Sequence, residues 1–196
     1  MCNIDLRKAS ENGMQYTNLK KYGLTERFEE EASFYEGLYP ARVSEQHHYI
    51  YKVISEEGEL QASVSGKLHY AAEGTMDFPA VGDWVMIDRI DGKSGNAVIR
   101  NILRRKSFFA RRAAGTKEDV QIVAANVDTI FICMSLNTDF NLRRLERYLS
   151  IAWESMAFPV IVLTKADLCA DLGQKITEVS SVSAGADIII CSCAEE

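Results

Sequence analysis

The segment Thr164-Lys165-Ala166-Asp167 directly follows an apolar run in this chain of 196 residues. A carboxylate at the end of a parallel strand can accept hydrogen bonds from both the ring N–H and the exocyclic amino group of guanine. Adenine lacks this pair of donors, so such a site would disfavour adenine by about 10⁴-fold or more. The aliphatic stem of Lys165 would cover the base plane. The segment therefore predicts guanine recognition, and the alternative is a strand end at which Asp167 only caps the next helix.

A second candidate contact to the base follows the next apolar run, at residues 187–191. Ser192 and Cys193 lie in a turn of small residues, whose backbone N–H groups could reach the guanine carbonyl. This turn is weak evidence by itself. Its place, one helix and one strand after Asp167, supports the same site.

A phosphate-binding loop, which usually accompanies guanine recognition, is not found in this sequence. Gly92-Lys93-Ser94 has the end of the pattern G-x-x-x-x-G-K-[ST], but residue 87 is Ile87 where the first glycine would stand. The residues that follow have the pattern of a strand, whereas a phosphate loop runs into a helix whose amides hold the anion. We interpret the segment as a hairpin turn.

Residues 92–117 are strongly basic within a chain whose net charge is −6. The segment contains no Asp or Glu, and it combines cations with Phe108 and Phe109, a mixture that binds phosphates and stacks bases. The alternative is a solvated linker whose two Phe residues attach one domain to the other. The candidate RNA-binding residues are Lys93, Arg100, Arg104, Arg105, Lys106, Arg111 and Arg112.

Residues 39–103 alternate polar and apolar side chains and are rich in β-formers. This pattern predicts four or five short strands, one of them over 59–70, and a small closed barrel of the OB type; another small antiparallel barrel would fit as well. A short helix is expected over 25–37, with Phe28, Ala32 and Tyr35 on one face. Residues 1–23 are expected to be disordered or frayed.

After residue 120 the pattern changes to alternating strands and helices. This order predicts a parallel sheet with right-handed crossovers, although three strands are too few for a complete doubly wound domain. The predicted elements are strands at 127–135, 158–165 and 187–191 and helices at 140–156 and 171–182. The first helix is expected to bury Leu142, Leu145, Leu149, Ala152 and Met156.

Composition limits the class of protein. The five cysteines are odd in number and scattered, which favours reduced thiols in an intracellular protein. Cys191 and Cys193 have no second ligand pair nearby, so no metal site is expected in this chain. No apolar run approaches the length of a membrane span, and the first residues lack a secretory core. We expect a soluble, cytoplasmic protein.

Several of these segments together resemble the circularly permuted GTPases of the RsgA, or YjeQ, family, which work on the small ribosomal subunit. The resemblance begins near residue 19 and covers nearly the whole chain. It rests on PAVGDWV (79–85), RRKSFFARR (104–112), VAANVDTIFIC (123–133), NLRRLERYL (141–149) and VLTKADL (162–168).

The resemblance implies a β + α/β fold, with an OB-type five-stranded β-barrel followed by part of a three-layer α/β domain like that of P-loop GTPases. It implies a tail and short helix at 1–37, an RNA-binding OB domain at 38–112, and the first part of a permuted GTPase domain at 113–196. Thr164, Lys165 and Asp167 match the guanine motif of the family, with Thr where Asn is usual. Ser192 and Cys193 match its second base-contacting loop, with Cys where Ala is usual.

In that family guanine recognition precedes the phosphate loop, so the loop, the switch segments, Mg²⁺ and a zinc-binding domain would be expected beyond residue 196. Phosphoryl transfer needs a lysine, a hydroxyl that binds Mg²⁺ and a backbone cradle for the phosphates. This chain is therefore expected to carry no catalytic residue and to be inactive alone. The implied partners are GTP or GDP, through the guanine moiety, and the small ribosomal subunit with its rRNA.

An alternative function is an OB-fold RNA-binding protein whose α/β part is a non-catalytic scaffold. In either case a three-stranded sheet would leave a strand edge and an apolar face uncovered, so the chain is also expected to self-associate.

Overall fold

The computed structural model describes residues 16–92, 95–112 and 120–192. These residues form two compact units by their internal contacts. The first unit contains residues 16–70 and 84–103, and the second contains 71–83 and 104–192. No helix among the described residues is long and apolar enough to cross a membrane.

The first unit is a closed five-stranded barrel. Its strands are β1 (Tyr39–His47), β2 (Ile50–Ser55), β3 (Gly58–Val64), β4 (Trp84–Ile87) and β5 (Ala97–Ile102). They pair in the order β1-β2-β3-β5-β4, and β4 closes the barrel against β1. The β3–β5 pair is parallel and the other pairs are antiparallel. The predicted OB-type barrel is confirmed.

Alternation along the strands builds the barrel core, because every second side chain points inward. The buried residues of this core are Ala41, Val43, Tyr51, Val53, Leu60, Ala62, Val85, Ile87, Ala97 and Ile99. The other side chains of β4, Trp84 and Met86, are also buried and belong to a second cluster outside the barrel. The turn that contains Gly92 lies between β4 and β5, and a strand follows it as predicted; Lys93 and Ser94 lie outside the described residues.

Two short helices, α1 (Thr17–Lys21) and α2 (Glu26–Ala32), complete that second cluster. Phe28 and Ala32 of α2 are buried in it, as predicted, and Tyr35 packs against it. The expectation of disorder up to residue 23 is wrong for residues 16–23, because Leu19 is fully buried. Residues 1–15 lie outside the described part of the chain.

The carboxylate of Glu56 holds the start of α1. It accepts hydrogen bonds from the amides of Thr17 (3.0 Å), Asn18 (2.8 Å) and Leu19 (3.1 Å). These are amides that a helix leaves without intrahelical partners. A negative charge near a helix start is also favourable. A contact between residues almost forty positions apart leaves no signal in a local pattern, which explains the wrong expectation.

The strand predicted over 59–70 is too long. β3 ends at Val64, and α3 (Gly66–Ala71) follows. The hydroxyl of Ser65 accepts a hydrogen bond from the amide of Leu68 at 3.2 Å, and the Ser65 carbonyl accepts from His69 at 2.9 Å. Serine thus starts a helix where side-chain alternation alone suggested more strand.

The second unit contains a parallel three-stranded sheet in the order β10-β9-β8. The strands are β8 (Thr129–Ser135), β9 (Phe158–Thr164) and β10 (Asp187–Ile190), and the helices between them are α4 (Leu142–Glu154) and α5 (Leu172–Val182). Both helices pack on the face that carries Ile132, Ile161 and Leu163. On the other face Phe131, Cys133 and Ile189 are exposed. The predicted β-α-β-α-β order is confirmed.

The buried face of α4 differs from the prediction at its end. Leu145, Leu149 and Ala152 are buried and Leu142 is partly buried, but Met156 is 79% exposed. The helix ends at Glu154, and Met156 has a positive φ of 65° that turns its side chain out of the helical register.

The basic segment is not a linker over its whole length. Five of its residues form β6 (Phe108–Arg112), which pairs antiparallel with β7 (Val120–Ala125). Ala110 of β6 packs against a small cluster of Ala80, Ile122 and Ala125. The interpretation as a solvated linker is therefore wrong for β6. The compact units divide at Leu103 and Arg104, and the functional division at residue 112 stays a prediction.

Replacement of Glu56 by Ala should release α1 from the barrel. Three amides lose their acceptor, so we expect a loss of about 1 kcal/mol in local stability. Hydrogen exchange should show faster exchange at residues 17–19 and at Leu24. Glu57→Ala, in the same turn, is the control and should leave exchange unchanged. Equal protection in the two variants would contradict this role of Glu56.

Candidate functional site

The carboxyl ends of β8, β9 and β10 lie at one edge of the parallel sheet. Ser135 pairs with Thr164 in register, and Leu163 pairs with Ile190. Backbone hydrogen bonds also join the loops that follow these strands. The Leu136 amide donates to the Thr164 carbonyl at 2.9 Å, and the Cys191 amide donates to the Leu163 carbonyl at 2.9 Å. In open parallel sheets this edge is where ligands bind.

The predicted guanine motif lies at this edge. Lys165 adopts the left-handed conformation, with φ 57° and ψ 43°, and begins a single 3₁₀ turn at Ala166–Leu168. This geometry leaves Lys165 and Asp167 exposed, whereas Thr164 is half-buried at the strand end. The left-handed residue ends the strand, so the side chain of Asp167 is presented to solvent at the sheet edge.

Asp167 does not cap the following helix. Asp171 is the N-cap of α5, and its Oδ1 accepts a hydrogen bond from the Gln174 amide at 3.0 Å. The Oδ1 of Asp167 instead accepts a hydrogen bond from the Ser192 hydroxyl at 2.6 Å. The alternative interpretation of Asp167 as a helix cap is therefore wrong. The structure brings Asp167 and Ser192 together, and Cys193 lies outside the described residues.

The loop between β8 and α4 adds charged residues that the sequence analysis missed. The guanidinium of Arg144 binds the Asp139 carboxylate through two hydrogen bonds, of 3.0 and 2.9 Å, and binds the Asp139 carbonyl at 2.7 Å. The hydrogen bond with Arg144 is the main cause that lowers the pKa of Asp139, and the charges of Arg144 and Lys165 lower it further. An Asp five residues before an Arg, across a helix start, is the only local signal of this pair.

The candidate RNA-binding residues have different environments. Arg100 and Arg104 are exposed. The ammonium of Lys106 is 2.7 Å from the Asp128 carboxylate, in an exposed ion pair. Arg111 and Arg112 belong to β6 by their backbone, and their side chains and the whole of Lys93 lie outside the described part of the structure.

Arg105 is committed to an internal ion pair. Its Nε and one terminal nitrogen donate to the Asp83 carboxylate at 2.8 and 2.7 Å, and Asp83 is completely buried. Two further donors of Arg105 bind the carbonyls of Met76 and Phe78, at 2.7 and 2.8 Å. The positive charge of Arg105 therefore serves the fold, and we leave this residue out of the proposed RNA contacts.

Asn126 binds the residues next to both partners of this ion pair, Lys106 and Gly82. Its side-chain oxygen accepts from the Lys106 amide at 2.7 Å, and its side-chain nitrogen donates to the Gly82 carbonyl at 3.1 Å. Gly82 has a φ of 89°, and a Cβ at this position would overlap the carbonyl oxygen of Ala125. Only glycine fits this approach of two backbones.

A groove on the barrel lies over β1, β2 and β3. Lys52 stands between two acidic residues, 3.3 Å from Glu45 and 2.7 Å from Glu59. His47 also lies 3.2 Å from Glu45. Among the described residues that line the groove, these charges largely neutralise one another. Among the described residues, no group of three or more His, Cys, Asp or Glu is arranged to hold a metal ion.

Comparison with known proteins gives consistent results. A family model described as "RsgA GTPase" matches residues 102–196. "Small ribosomal subunit biogenesis GTPase RsgA 2" of Lactiplantibacillus plantarum is 51% identical over 175 residues, which is 89% of this chain and 49% of that protein. The RsgA protein of Opitutus terrae is 38% identical over 166 residues, 81% of this chain and 45% of that protein. The chain thus spans about half the length of the curated relatives it matches.

Two solved structures have a similar fold. YjeQ from Thermotoga maritima has a TM-score of 0.60 at 24% identity, over 79% of this chain and 52% of that one. YloQ, described as a circularly permuted GTPase, has a TM-score of 0.58 at 18% identity, over 82% of this chain and 53% of that one. At these identities the likeness concerns the fold.

Replacement of Arg105 by Met should destabilise the second unit. The buried Asp83 carboxylate would lose its partner, which costs about 3 kcal/mol or more. Urea denaturation monitored by hydrogen exchange at residues 76–83 measures this loss. Arg143→Met, at an exposed position of α4 in the same unit, should have little effect on stability. Equal stability of the two variants would show that the ion pair is dispensable.

Proposed function

Because this chain belongs to the RsgA family, we propose that it acts in a ribosome-biogenesis GTPase, in which its α/β unit binds the guanine of GTP or GDP. The barrel and the basic segment would bind the rRNA of the small ribosomal subunit. This role implies a cytoplasmic location. The observation that carries the proposal is the exposed Asp167 carboxylate at the sheet edge, which is hydrogen-bonded to Ser192 and has no capping role.

The chemistry of recognition follows from these residues. The two oxygens of Asp167 would accept the ring N–H and the amino group of guanine. The Ser192 hydroxyl donates to Oδ1 and so fixes the carboxylate plane before the base arrives. Lys165, the exposed residue at the strand end, would lay its methylene chain across the base. Thr164 supports the turn through its carbonyl, which accepts from Leu136.

Hydrolysis is a separate requirement. The sequence contains no G-x-x-x-x-G-K-[ST] loop, so it supplies no lysine, hydroxyl and backbone cradle for the phosphates. We propose that this polypeptide recognises guanine without hydrolysing GTP by itself. Mg²⁺ and zinc are assigned to no residue of the chain.

RNA binding is proposed for the exposed cations of the basic segment. Arg100, Arg104 and Lys106 are the exposed members among the described residues. Such residues bind phosphates by releasing counterions, which makes the affinity depend on salt. Lys106 would have to leave Asp128 first.

Replacement of Asp167 by Asn should weaken binding of GDP by about tenfold or more, because one acceptor becomes a donor that faces the amino group of guanine. The same change should improve binding of xanthosine diphosphate, which carries a carbonyl in place of that amino group. Nuclear magnetic resonance titration, which detects weak binding, can measure both affinities.

Asp171→Asn is the matched control for this variant, since Asn also caps helices well and the residue lies at the same sheet edge. It should leave both affinities unchanged. Equal GDP binding by the wild type and Asp167→Asn would contradict the proposed site. A chain that binds rRNA but shows no preference for guanine would instead fit the OB-fold RNA-binding alternative.

Replacement of both Arg100 and Arg104 by Gln should reduce the salt dependence of binding to small ribosomal subunits. The slope of log K against log salt should fall by about two, one for each cation removed from a phosphate. Fluorescence anisotropy over a salt series measures the slope. Arg143→Gln with Arg147→Gln, two exposed arginines of α4, removes the same charge as a control. An equal decrease of the slope in both pairs would show that binding depends on net charge alone.

A further inference from the structure

The loop from Leu136 to Asn141, between β8 and α4, is held in a fixed shape by its own side chains. The Oδ1 of Asn137 accepts hydrogen bonds from the Ser135 hydroxyl at 2.9 Å and from the Asp139 amide at 3.0 Å. Arg144 binds the carboxylate of Asp139 from the first turn of α4. Asp139 is therefore hydrogen-bonded through both its backbone amide and its side chain.

This loop adjoins the proposed guanine site. Ser135 and Thr164 are partners in the sheet, and the Leu136 amide donates to the Thr164 carbonyl. The next residue on the β9 side is Lys165. Its positive charge acts on Asp139, since it contributes, after Arg144, to the lowered pKa of that carboxyl. The Asp139 carboxylate thus binds the guanidinium of Arg144 and lies in the loop that is hydrogen-bonded to the strand end before Lys165.

A lysine that covers a base needs its ammonium placed beyond the base. Its side chain has four flexible carbons, and ordering it on binding loses conformational freedom. An anchor for the ammonium reduces that loss before the ligand arrives. Asp139 lies in the loop that Leu136 joins to Thr164, the residue before this lysine, and 63% of the Asp139 side chain is exposed, so its carboxylate is open to a further cation.

We propose that Asp139 is a positioning residue for guanine binding: its carboxylate, oriented by Arg144, holds the ammonium of Lys165 so that the lysine stem lies across the base. The inference rests on the proposed function. It gives the Asp139–Arg144 ion pair a role in ligand binding in addition to its role in the structure of the loop. It also predicts that the effect of Asp139 on the nucleotide acts through Lys165.

A double-mutant cycle on the full chain tests this inference, with GDP affinity measured by nuclear magnetic resonance titration. Asp139→Asn alone should weaken GDP binding by about two- to fivefold, the range expected for an exposed ion pair. In the Lys165→Met background the same change should have no effect, because the anchored ammonium is already absent. Asp128→Asn is the control, because it removes an exposed carboxylate just before β8, at the opposite end of that strand.

Further variants separate positioning from loop structure. Arg144→Gln removes the ion pair but keeps a carboxylate opposite Lys165, so it should weaken GDP binding less than Asp139→Asn. The inference is overturned if Asp139→Asn has no effect, if its effect persists with Lys165→Met, or if Arg144→Gln is equally harmful. If the wild-type chain shows no preference for GDP over ADP, the proposed function itself fails, and this inference fails with it.

Discussion

The ion pair between Asp83 and Arg105 is the interaction on which the second unit most depends. Asp83 is fully buried, and a buried carboxylate is tolerated only when its oxygens are satisfied. Arg105 donates a hydrogen bond to each of the two carboxylate oxygens, and the Ala80 amide donates a further one at 2.8 Å. Because Arg105 also binds the carbonyls of Met76 and Phe78, one guanidinium joins Asp83 to the irregular segment that precedes it. Next to Asp83, the Gly82 carbonyl accepts a hydrogen bond from Asn126, which directly follows β7.

The proposed nucleotide site depends on a different constraint, the common direction of three strands. A parallel sheet places the carboxyl ends of all its strands on one edge. Residues that follow different strands, such as Asp167 and Ser192, therefore come into contact although they are far apart in sequence. The two helices hold the strands by packing on one face of the sheet. Backbone hydrogen bonds then join the loops beyond the strands to one another.

Much of this architecture follows from local patterns in the sequence. Alternation predicted the barrel strands, and apolar runs followed by helical periodicity predicted β8 to β10 with α4 and α5. The failures have physical causes. Leu19 is ordered by Glu56, a contact distant in sequence, and β6 is a strand because β7 pairs with it. The sequence pattern places Arg105 among surface cations, because it does not reveal that Asp83 is buried. The placement of Asp167 at a strand end was predictable, whereas its bond to Ser192 needed the sheet register.

The left-handed backbone at Lys165 has a consequence for how this turn is maintained. Residues other than glycine adopt this conformation at a cost of about 1 kcal/mol. Glycine would relieve that cost, whereas the proposed covering of the base requires a long side chain at this position. Random substitutions selected for thermal resistance alone should therefore drift toward glycine at this position, whereas selection that preserves ligand binding should keep the lysine.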